Sequence, residues 1–596
     1  MRIPRRPVAA FAAGALALVL TACGAQATES TTGSDSNASV VSVADTKAIS
    51  AADALADNAD THADADDGDY DAASATTITL ADGASAVDGD GASVDGDVVT
   101  ISAAGTYVVS GTLSDGQLVV DSSGDGKVVI VLDGVDLTSA DSSPLLVSDA
   151  DEVVVVLAAG SDNQLADGTG STADDDEEDA PNATLFSTAD LTIAGSGSLT
   201  VSGHADGITS KDGLVILSGK VNVTAADDGI RGKDYLVVTG GQVSVEAGGD
   251  GLKSDQDSDA TEGYVAIEGG TLTITAGDDG LTAATDVIVA DGDLSVTAGG
   301  GAGEALADDA SAKGLKGDVS VVVSGGTVSV DAADDGLHSD GTVSIDGGKV
   351  SVASGDDGAH ADAALTVAGG RLTVSDSVEA LEGLAVSISG GTVDLTASDD
   401  GINGSGDDAA SVTISGGDVT VTAGGDGIDV NGGALTQTGG TVTVNGPTQA
   451  GNGSLDADGG VVVNGGVMVA VGTSSMLVSP SEDSQQGWLV ATFDTVSTGS
   501  TLTVVDEDGT EIASYQVPED VSSLVLSSSA VENGEEYTLV VAGDELTTVT
   551  AGEAAAGSDG GGFGGGAPNG EAPDGEAPQG APDGGSADGG QASTNS

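Results

Sequence analysis

Carboxylate side chains recur at one position of a repeat in this sequence. The triplet Asp228-Gly229-Ile230 recurs 22 residues later as Asp250-Gly251-Leu252. Similar triplets of an acidic residue, Gly or Ala, and an aliphatic residue, here called acidic corners, continue along the chain. When the copies are aligned on the Gly or Ala that follows, all ten residues at this position are acidic. They are Asp206, Asp228, Asp250, Asp279, Glu304, Asp335, Asp357, Glu379, Asp400 and Asp426. Five copies add a second carboxylate directly before it: Asp227, Asp278, Asp334, Asp356 and Asp399.

Like charges at a repeated corner need compensation. At a strand spacing of about 4.8 Å, each neighbouring pair costs about 3 kcal/mol if the effective dielectric constant is near 20. Backbone N–H groups of the turn could satisfy each carboxylate, as in an Asx-turn. Alternatively, Ca²⁺, which takes about six to eight oxygen ligands, could bind between neighbouring copies. Both interpretations stay open, and the predicted metal ligands are Asp227, Asp228, Asp250, Asp278, Asp279, Asp335, Asp357 and Asp400.

One insertion resembles a calcium loop. Asp255, Asp257 and Asp259 alternate and are followed by Glu262. The segment is not an EF-hand, because it lacks the glycine and the twelfth-position Glu of that loop. It predicts either a local Ca²⁺ site or a solvated acidic bulge.

A second polar column lies two residues beyond the turn glycine. It includes Thr209, Arg231, Lys253, Thr282, His338, His360, Glu382, Asn403 and Asp429. Arg231, Lys233 and Lys253 are predicted to form a cationic patch, and His338 and His360 to stack on neighbouring copies. These five residues either offset nearby carboxylates or contact the carboxylate of a uronate sugar.

The elements that position these residues are short strands. A typical copy has an alternating strand such as Val243-x-Val245-x-Ala247, the acidic corner and an inward aliphatic residue, and seven of the ten copies have a Gly-Gly turn before the strand. Twenty-two extended residues trace about 70 Å, enough for three strands and three turns. The sequence therefore predicts an all-β fold, a right-handed parallel β-helix of coils of about 22 residues.

The chain divides into six predicted segments. The first 23 residues have a basic head, an apolar run and the end Leu-Thr-Ala-Cys23, which together resemble a lipoprotein signal. This resemblance predicts that Cys23 is lipidated and that the protein is exported and anchored at the cell surface. An ordinary secretory signal is the alternative. The predicted segments are a signal peptide (1–23), a disordered acidic linker (24–75), N-terminal β coils (76–180), a parallel β-helix (181–478), a small antiparallel β-sandwich-like unit (483–550) and a disordered Gly/Pro-rich tail (551–596).

The charge balance restricts the partners. The chain has 97 acidic and 14 basic residues. Phosphate binding needs clustered Lys and Arg, so no nucleic-acid partner is expected. A surface of this charge instead attracts cations.

Several sequence segments resemble those of a known protein family. ADDGIRGKD, GGDGLKSDQDSDATEGYVAIEGG, ADDGLHSDG, GDDGAHADAALTVAGG and GGTVTVNGPTQAGNGSLD are similar to bacterial carbohydrate-binding β-helix proteins, over roughly residues 76 to 475. The resemblance implies a pectate-lyase-like fold, Ca²⁺ as cofactor and binding of polygalacturonate or cellulose. It also implies metal contact by Asp228, Asp250 and Asp255, and substrate contact by Arg231 and Lys253.

Three functions follow from these features. The first is a lipid-anchored binding module for an acidic polysaccharide. An acidic polymer is favoured over crystalline cellulose because only Phe186, Tyr235 and Tyr264 are aromatic within 181–478. The alternatives are a calcium-dependent polysaccharide lyase, with Arg231, Lys233 or Lys253 as base, and a structural adhesin or spacer.

Overall fold

The protein is a β-solenoid, as the sequence predicts. The computed structural model describes residues 47–168, 180–307, 310–406 and 409–554. The solenoid has about 16 turns of about 23 residues, here called coils. Each strand pairs in parallel with its counterpart in the next coil; Val221, for example, pairs with Val243. The prediction of an all-β parallel β-helix is confirmed.

The coils stack into three faces. The first face follows the Gly-Gly turns and contains Asp162–Asp167, Ser198–Gly203, Lys220–Ala225, Gln242–Ala247, Thr271–Ala276, Asp293–Ala298, Thr327–Ala332, Lys349–Ser354, Arg371–Asp376, Thr392–Ala397, Asp418–Ala423, Thr441–Asn445 and Val467–Gly472. The second face contains the acidic corner or follows it directly. It comprises Val98–Ile101, Gln117–Asp121, Leu145–Asp149, Ala183–Ser187, Asp206–Ser210, Ile230–Gly232, Leu252–Ser254, Leu281–Ala283, Leu315–Gly317, Leu337–Ser339, Ile402–Gly404, Ile428–Val430 and Asp456–Ala457.

The third face completes each coil. It contains Glu152–Leu157, Asp190–Gly195, Gly213–Ile216, Tyr235–Val238, Tyr264–Ile267, Asp286–Val289, Ser320–Val323, Thr342–Ile345, Ser411–Ile414, Ala434–Gln437 and Val461–Val463. Two longer strands, Ala359–Val367 and Leu381–Ile388, run through both the second and third faces. The N-terminal coils are built from Thr76–Ala81, Ala86–Asp88, Ala92–Asp95, Gly105–Leu113 and Lys127–Ser139.

Aliphatic side chains form continuous columns inside the solenoid. Val221, Val243 and Leu272 are each at most 2% exposed and lie one above another on the first face. Ile230, Leu252 and their counterparts form a similar column on the second face. Each buried Val, Leu or Ile contributes about 1.5–3 kcal/mol of hydrophobic stabilisation relative to an exposed one. These columns hold the acidic corners in register.

Close packing between coils explains the glycine at corners such as Gly229. A Cβ on Gly229 would lie 2.3 Å from Val245 Cγ1 and 2.6 Å from the Gly251 carbonyl oxygen of the next coil. The second residue of the Gly-Gly turn has a different requirement, because Gly241 has a φ of +89°. The coil of Gly229 and Gly241 therefore uses glycine for two separate reasons.

The Gly229→Ala variant is expected to be less stable than the wild type. The added methyl group overpacks the contact between two coils, which costs about 1–3 kcal/mol. The measurement is the urea midpoint of unfolding. Gly124→Ala is the matched control, since a Cβ there meets nothing within 4 Å. Equal midpoints for the two variants would contradict the close-packing explanation.

The structure corrects the alignment of one coil. Leu281 pairs with Leu315, and Leu315 pairs with Leu337, so Lys313-Gly314 forms this corner. The predicted corner at Glu304 was wrong, because residues 299–312 form an insertion on which the sequence period carries no information. The ladder of acids is thus interrupted by a lysine.

The segment before residue 76 is not a spacer throughout. Residues 47–75, here called the N-terminal strap, cross the third face and include the helix Ala51–Asp57, whose N-cap is Ser50. Ala51 and Ala54 cover outward side chains that would otherwise be exposed apolar surface, namely Val215, Tyr235, Val237, Tyr264, Ala266, Ile288 and Val322. For these residues the disordered-linker prediction was wrong, because strands that are apolar on both sides need a cover.

The C-terminal unit ends the solenoid. Its strands are Trp488–Val496, Thr501–Val505, Glu511–Gln516, Val521–Ser527, Glu536–Val541 and Asp544–Thr550. Val521–Ser527 pairs antiparallel with the last coil strand, Val467–Gly472, which closes an otherwise open edge. Four of the strands form a separate antiparallel sheet with a shared apolar core. Ala551, predicted to begin the tail, is buried in that core.

Several predictions lie outside the described residues. They concern the signal peptide, Cys23, residues 24–46 of the linker and the tail from residue 555. Among the residues that the structure describes, no helix is long and apolar enough to cross a membrane.

Candidate functional site: an acidic ladder beside a column of cations

The acidic corners stack directly above one another on one edge of the solenoid. We call this column the acidic ladder, and it consists of Asp206, Asp228, Asp250, Asp279, Asp335, Asp357, Glu379, Asp400 and Asp426, with Lys313 between Asp279 and Asp335. Its register follows from the strands beside it, in which Ile208, Ile230 and Leu252 pair in succession. The predicted superposition of like charges is therefore present.

One oxygen of most ladder carboxylates is used by the backbone. Asp228 Oδ1 accepts the N–H of Asp250 at 3.0 Å, and Asp250 Oδ1 accepts that of Asp279 at 3.1 Å. The same bond joins Asp335 Oδ1 to the N–H of Asp357 at 3.0 Å. The turn-bonding interpretation thus explains one oxygen of each such carboxylate and leaves Oδ2 to face the second polar column.

Lysines neutralise the N-terminal half of the ladder. Lys253 Nζ lies 2.9 Å from Asp228 Oδ2 and 2.8 Å from Asp250 Oδ2. Burial raises the pKa of Asp250 in spite of this partner, while the two carboxylates outweigh burial and raise the pKa of Lys253. Lys313 Nζ lies 2.5 Å from Asp335 Oδ2, and Lys316 Nζ lies 3.4 Å from Asp279 Oδ2. The ammonium groups of Lys253 and Lys313 each bridge two carboxylates that would otherwise repel.

Two histidines continue the column. His338 and His360 stack with ring centroids 5.1 Å apart, as predicted. His360 Nδ1 lies 3.1 Å from Asp357 Oδ2 and 3.0 Å from Glu382 Oε2. Hydrogen bonds to Asp357 and Glu382 raise the pKa of His360 to about 11, and the bond from His360 lowers the pKa of Glu382 to about 2. His360 is consequently an imidazolium at neutral pH.

The C-terminal end of the ladder has no such compensation. No Lys, Arg or His follows Arg371 in the sequence. Burial raises the pKa of Glu379 and of Asp426 to about 7, and that of Asp429 to about 6. Burial also raises the pKa of Asp400 and Asp456. We call these five residues the uncompensated segment, because no basic side chain follows Arg371 and their charges are balanced by protons or cations from solution.

Two groups in the described part of the chain bring three ligand atoms within 4.8 Å of one another. They are Asp357 with His360 and Glu382, and Asp334 with Asp335 and Asp356. In the first, a metal ion competes with the proton of His360. In the second, Lys313 already lies 3.1 Å from Asp334 and 2.5 Å from Asp335. Acidic groups able to hold a metal ion are therefore present, with internal cations beside them.

The insertion after Asp250 does not assemble a group of three ligands among the described residues. Asp255 is bound by the guanidinium of Arg231, with Nε at 3.1 Å and Nη2 at 2.5 Å. Asp259 accepts hydrogen bonds from Thr261, and Asp257 is exposed. Its role as a calcium loop stays a prediction.

The remaining predicted residues flank the ladder. Asp227 and Asp278 are exposed beside it, and Lys233 is half-buried in the turn before the third face. Arg231 and Lys253 occupy neighbouring positions of the second polar column, as predicted.

Sequence reasoning missed several members of the site. Lys313 and Lys316 were missed because this coil was aligned on Glu304. The pair Gly314-Leu315, which matches the Gly-aliphatic pair of the other corners, could have identified the correct alignment. Glu379, Asp426 and Asp429 were seen as part of the pattern but not selected, and the signal that singles them out is the absence of basic residues after Arg371.

Comparisons with known proteins find similarity to a carbohydrate-binding family. Residues 95–358 match the model of a family described as "Carbohydrate-binding domain-containing protein". A protein of that description from Acetivibrio thermocellus is 40% identical over 128 residues, which are 21% of this chain and 45% of the relative. The chain thus spans less than half the length of this relative. The resemblance to carbohydrate-binding parallel β-helix proteins is confirmed.

One solved structure is also similar. It is a gadolinium derivative of a polysaccharide lyase-like protein from C. thermocellum, 30% identical, with 46% of this chain and 96% of that chain covered. Its TM-score of 0.37 is too low for a structural inference.

Proposed function

We propose that this protein binds an acidic, polygalacturonate-like polysaccharide through Ca²⁺ held on the acidic ladder. The family match supports carbohydrate binding in general. A formal charge of -83 repels a polyanion, so a bridging cation is needed between the two. Ca²⁺ suits this role because its large, flexible oxygen shell accepts carboxylates from two molecules.

The uncompensated segment carries this proposal. Glu379, Asp400 and Asp426 lie on successive coils, and Asp429 and Asp456 occupy neighbouring positions of the second polar column. Asp400 Oδ1 accepts the N–H of Asp426 at 2.6 Å, which orients the carboxylate toward the same edge. A row of this kind offers repeated cation positions to a polymer with repeated carboxylates.

A lyase is less well supported by the geometry. A catalytic base must be neutral before it accepts a proton. Lys253 is held between two carboxylates that raise its pKa, and Arg231 is tied to Asp255 through two nitrogens. Both are better suited to neutralising charge than to proton abstraction.

The protein is further proposed to be exported and lipid-anchored through Cys23. The support is the basic head, apolar run and terminal cysteine of the first 23 residues. A surface anchor would place the solenoid where extracellular polysaccharide is found.

Retention on immobilised polygalacturonate tests the binding proposal. Wild-type protein is expected to bind with Ca²⁺ and to elute with chelator, because removing the bridge leaves two polyanions. A Glu379→Gln/Asp400→Asn double variant is expected to lose at least about 10-fold in affinity. The matched control is Asp418→Asn, an exposed carboxylate on the first face. Equal retention with and without chelator would contradict the calcium bridge, and binding only to neutral polymers would contradict the acidic ligand.

A further inference from the structure

Asn-Gly pairs are concentrated in the C-terminal part of the chain. Seven occur in the sequence, all after residue 400, and six of them lie among the described residues. These six are Asn403-Gly404, Asn431-Gly432, Asn445-Gly446, Asn452-Gly453, Asn464-Gly465 and Asn533-Gly534. Such a pair can modify itself, because the backbone nitrogen of the glycine can approach the side-chain carbonyl carbon of the asparagine when no side chain obstructs it. The fold decides which pairs have this freedom.

Five of these six pairs are restrained by their surroundings. Asn403 and Asn445 are buried, with exposures of 8% and 5%. A Cβ on Gly453 or Gly465 would lie at most 2.6 Å from a backbone carbonyl oxygen, so neither glycine has room to move. Gly534 donates its N–H to a backbone carbonyl group at 2.8 Å. Close packing or a backbone hydrogen bond therefore opposes the reaction at each of these pairs.

Asn431 and Gly432 differ from the other pairs in three respects. Both residues are exposed in the turn between the second and third faces. A Cβ on Gly432 would meet only the Ala409 Cα atom, at 3.7 Å, so the glycine has free space around it. Its N–H donates to Asp458 Oδ2 at 3.0 Å instead of to a backbone carbonyl group. Among the six described pairs, this one alone combines exposure, free space and a carboxylate on the glycine N–H.

We propose that Asn431 and Gly432 form a self-modifying site at which Asp458 acts as the general base. Asp458 accepts the amide proton of Gly432 as the nitrogen attacks the Asn431 Cγ atom. The Nδ2 group takes up this proton and leaves as ammonia, which closes a succinimide ring. Water then opens the ring at either of its carbonyl groups and yields aspartate or isoaspartate. Water is the only co-reactant, and nothing is oxidised or reduced.

The modification changes the charge beside the uncompensated segment. Asn431 Nδ2 donates to Asp429 Oδ2 at 2.9 Å and to Asn403 Oδ1 at 3.4 Å. Conversion removes this donor and places a new carboxylate next to Asp429, and isoaspartate also lengthens the backbone of the turn. Each converted molecule therefore gains one negative charge in a region where no basic side chain follows in the sequence. The reaction itself does not depend on polysaccharide binding.

Peptide mapping of the full-length protein tests the selectivity of the site. The protein is incubated at neutral pH, and mass spectrometry follows the deamidated fraction of each Asn-Gly pair over time, with isoaspartate counted separately. Asn431 is expected to convert first among the six described pairs. A comparable rate at any of the other five would overturn the proposal, because exposure, free space and the nearby carboxylate would then not select the site.

The variant Asp458→Ser tests the general base. Serine can still accept a hydrogen bond from the turn but is not a base, so conversion of Asn431 is expected to slow by at least about 10-fold. The wild-type rate is also expected to rise less steeply between pH 6 and pH 8 than that of the variant, because a carboxylate rather than hydroxide removes the proton. The matched control is Asp418→Ser, at an exposed position on the first face, which is expected to convert as the wild type does. Equal rates and pH profiles for the two variants would overturn the role of Asp458.

Discussion

In the absence of divalent cations, the stability of this protein is expected to fall as the pH rises from about 5 to about 8. Burial raises the pKa of Asp206, Glu379 and Asp426 to about 7, whereas an unfolded chain titrates these groups near pH 4. Between these values the native state holds more protons than the unfolded state, so unfolding becomes easier as the pH rises. The contribution is on the order of 1 kcal/mol per group after solvent screening.

Groups whose pKa is lowered in the folded protein limit its stability at low pH. The pKa of Asp335 is lowered to about 2, because bonds from His338 and Lys313 outweigh its burial, and that of Glu382 is also about 2. Their contribution is complete above about pH 4 and is lost as the pH falls toward 2. His360, with a pKa of about 11, contributes stability that is present below about pH 6.5 and lost toward 11. Maximum stability is therefore expected near pH 4 to 5.

Ca²⁺ is expected to reverse the loss at neutral pH, since it neutralises the same carboxylates when they are deprotonated. Urea unfolding at pH 5, 6, 7 and 8, with Ca²⁺ and with chelator, measures the effect. K⁺ at matched ionic strength controls for general screening. The Glu379→Gln/Asp426→Asn variant should show a flatter pH profile. A stability that rises from pH 5 to pH 8 in chelator would falsify the explanation.

Replacing Lys313 by Gln is expected to be the most destabilising single change in the ladder. Lys313 Nζ bridges Asp334 and Asp335, and its backbone N–H donates to Asp279 Oδ1 at 2.8 Å. Gln keeps this backbone bond but removes the charge that Asp334 and Asp335 share, so the buried Asp335 retains only His338 beside its Oδ2. Removing one partner of a buried ion pair costs about 3–5 kcal/mol.

The same variant is expected to gain a calcium response. Without the ammonium group, Asp334, Asp335 and Asp356 present three oxygens within 4.8 Å of one another. Ca²⁺ should therefore stabilise Lys313→Gln more than the wild type, as measured by the shift in urea midpoint between chelator and Ca²⁺. Lys349→Gln, at an exposed position on the first face, is the control. Equal calcium responses in the two variants would show that Lys313 does not occupy a cation position.

The ladder thus handles its repulsion in two ways. Toward the N-terminal side, Lys253, Lys313 and His360 supply positive charges within the protein. Toward the C-terminal side, the carboxylates rely on protons or dissolved cations. A surface that is neutralised internally cannot bridge to a polyanion, so we expect ligand binding to concentrate on the C-terminal side.

The solenoid and its register could be predicted from the sequence because the coils repeat a similar local sequence pattern. Alternating aliphatic residues select an inward face, and a corner glycine permits close contact between coils. Stacking then follows, since neighbouring coils carry the same pattern. The superposition of Asp228 on Asp250, and of His338 on His360, required only this period.

The partners of each side chain were decided by the tertiary structure. An insertion has no period, so the sequence did not show that Lys313, rather than Glu304, occupies the ladder. The covering of Tyr235 and Tyr264 by the N-terminal strap joins residues about 200 positions apart, for which spacing holds no signal.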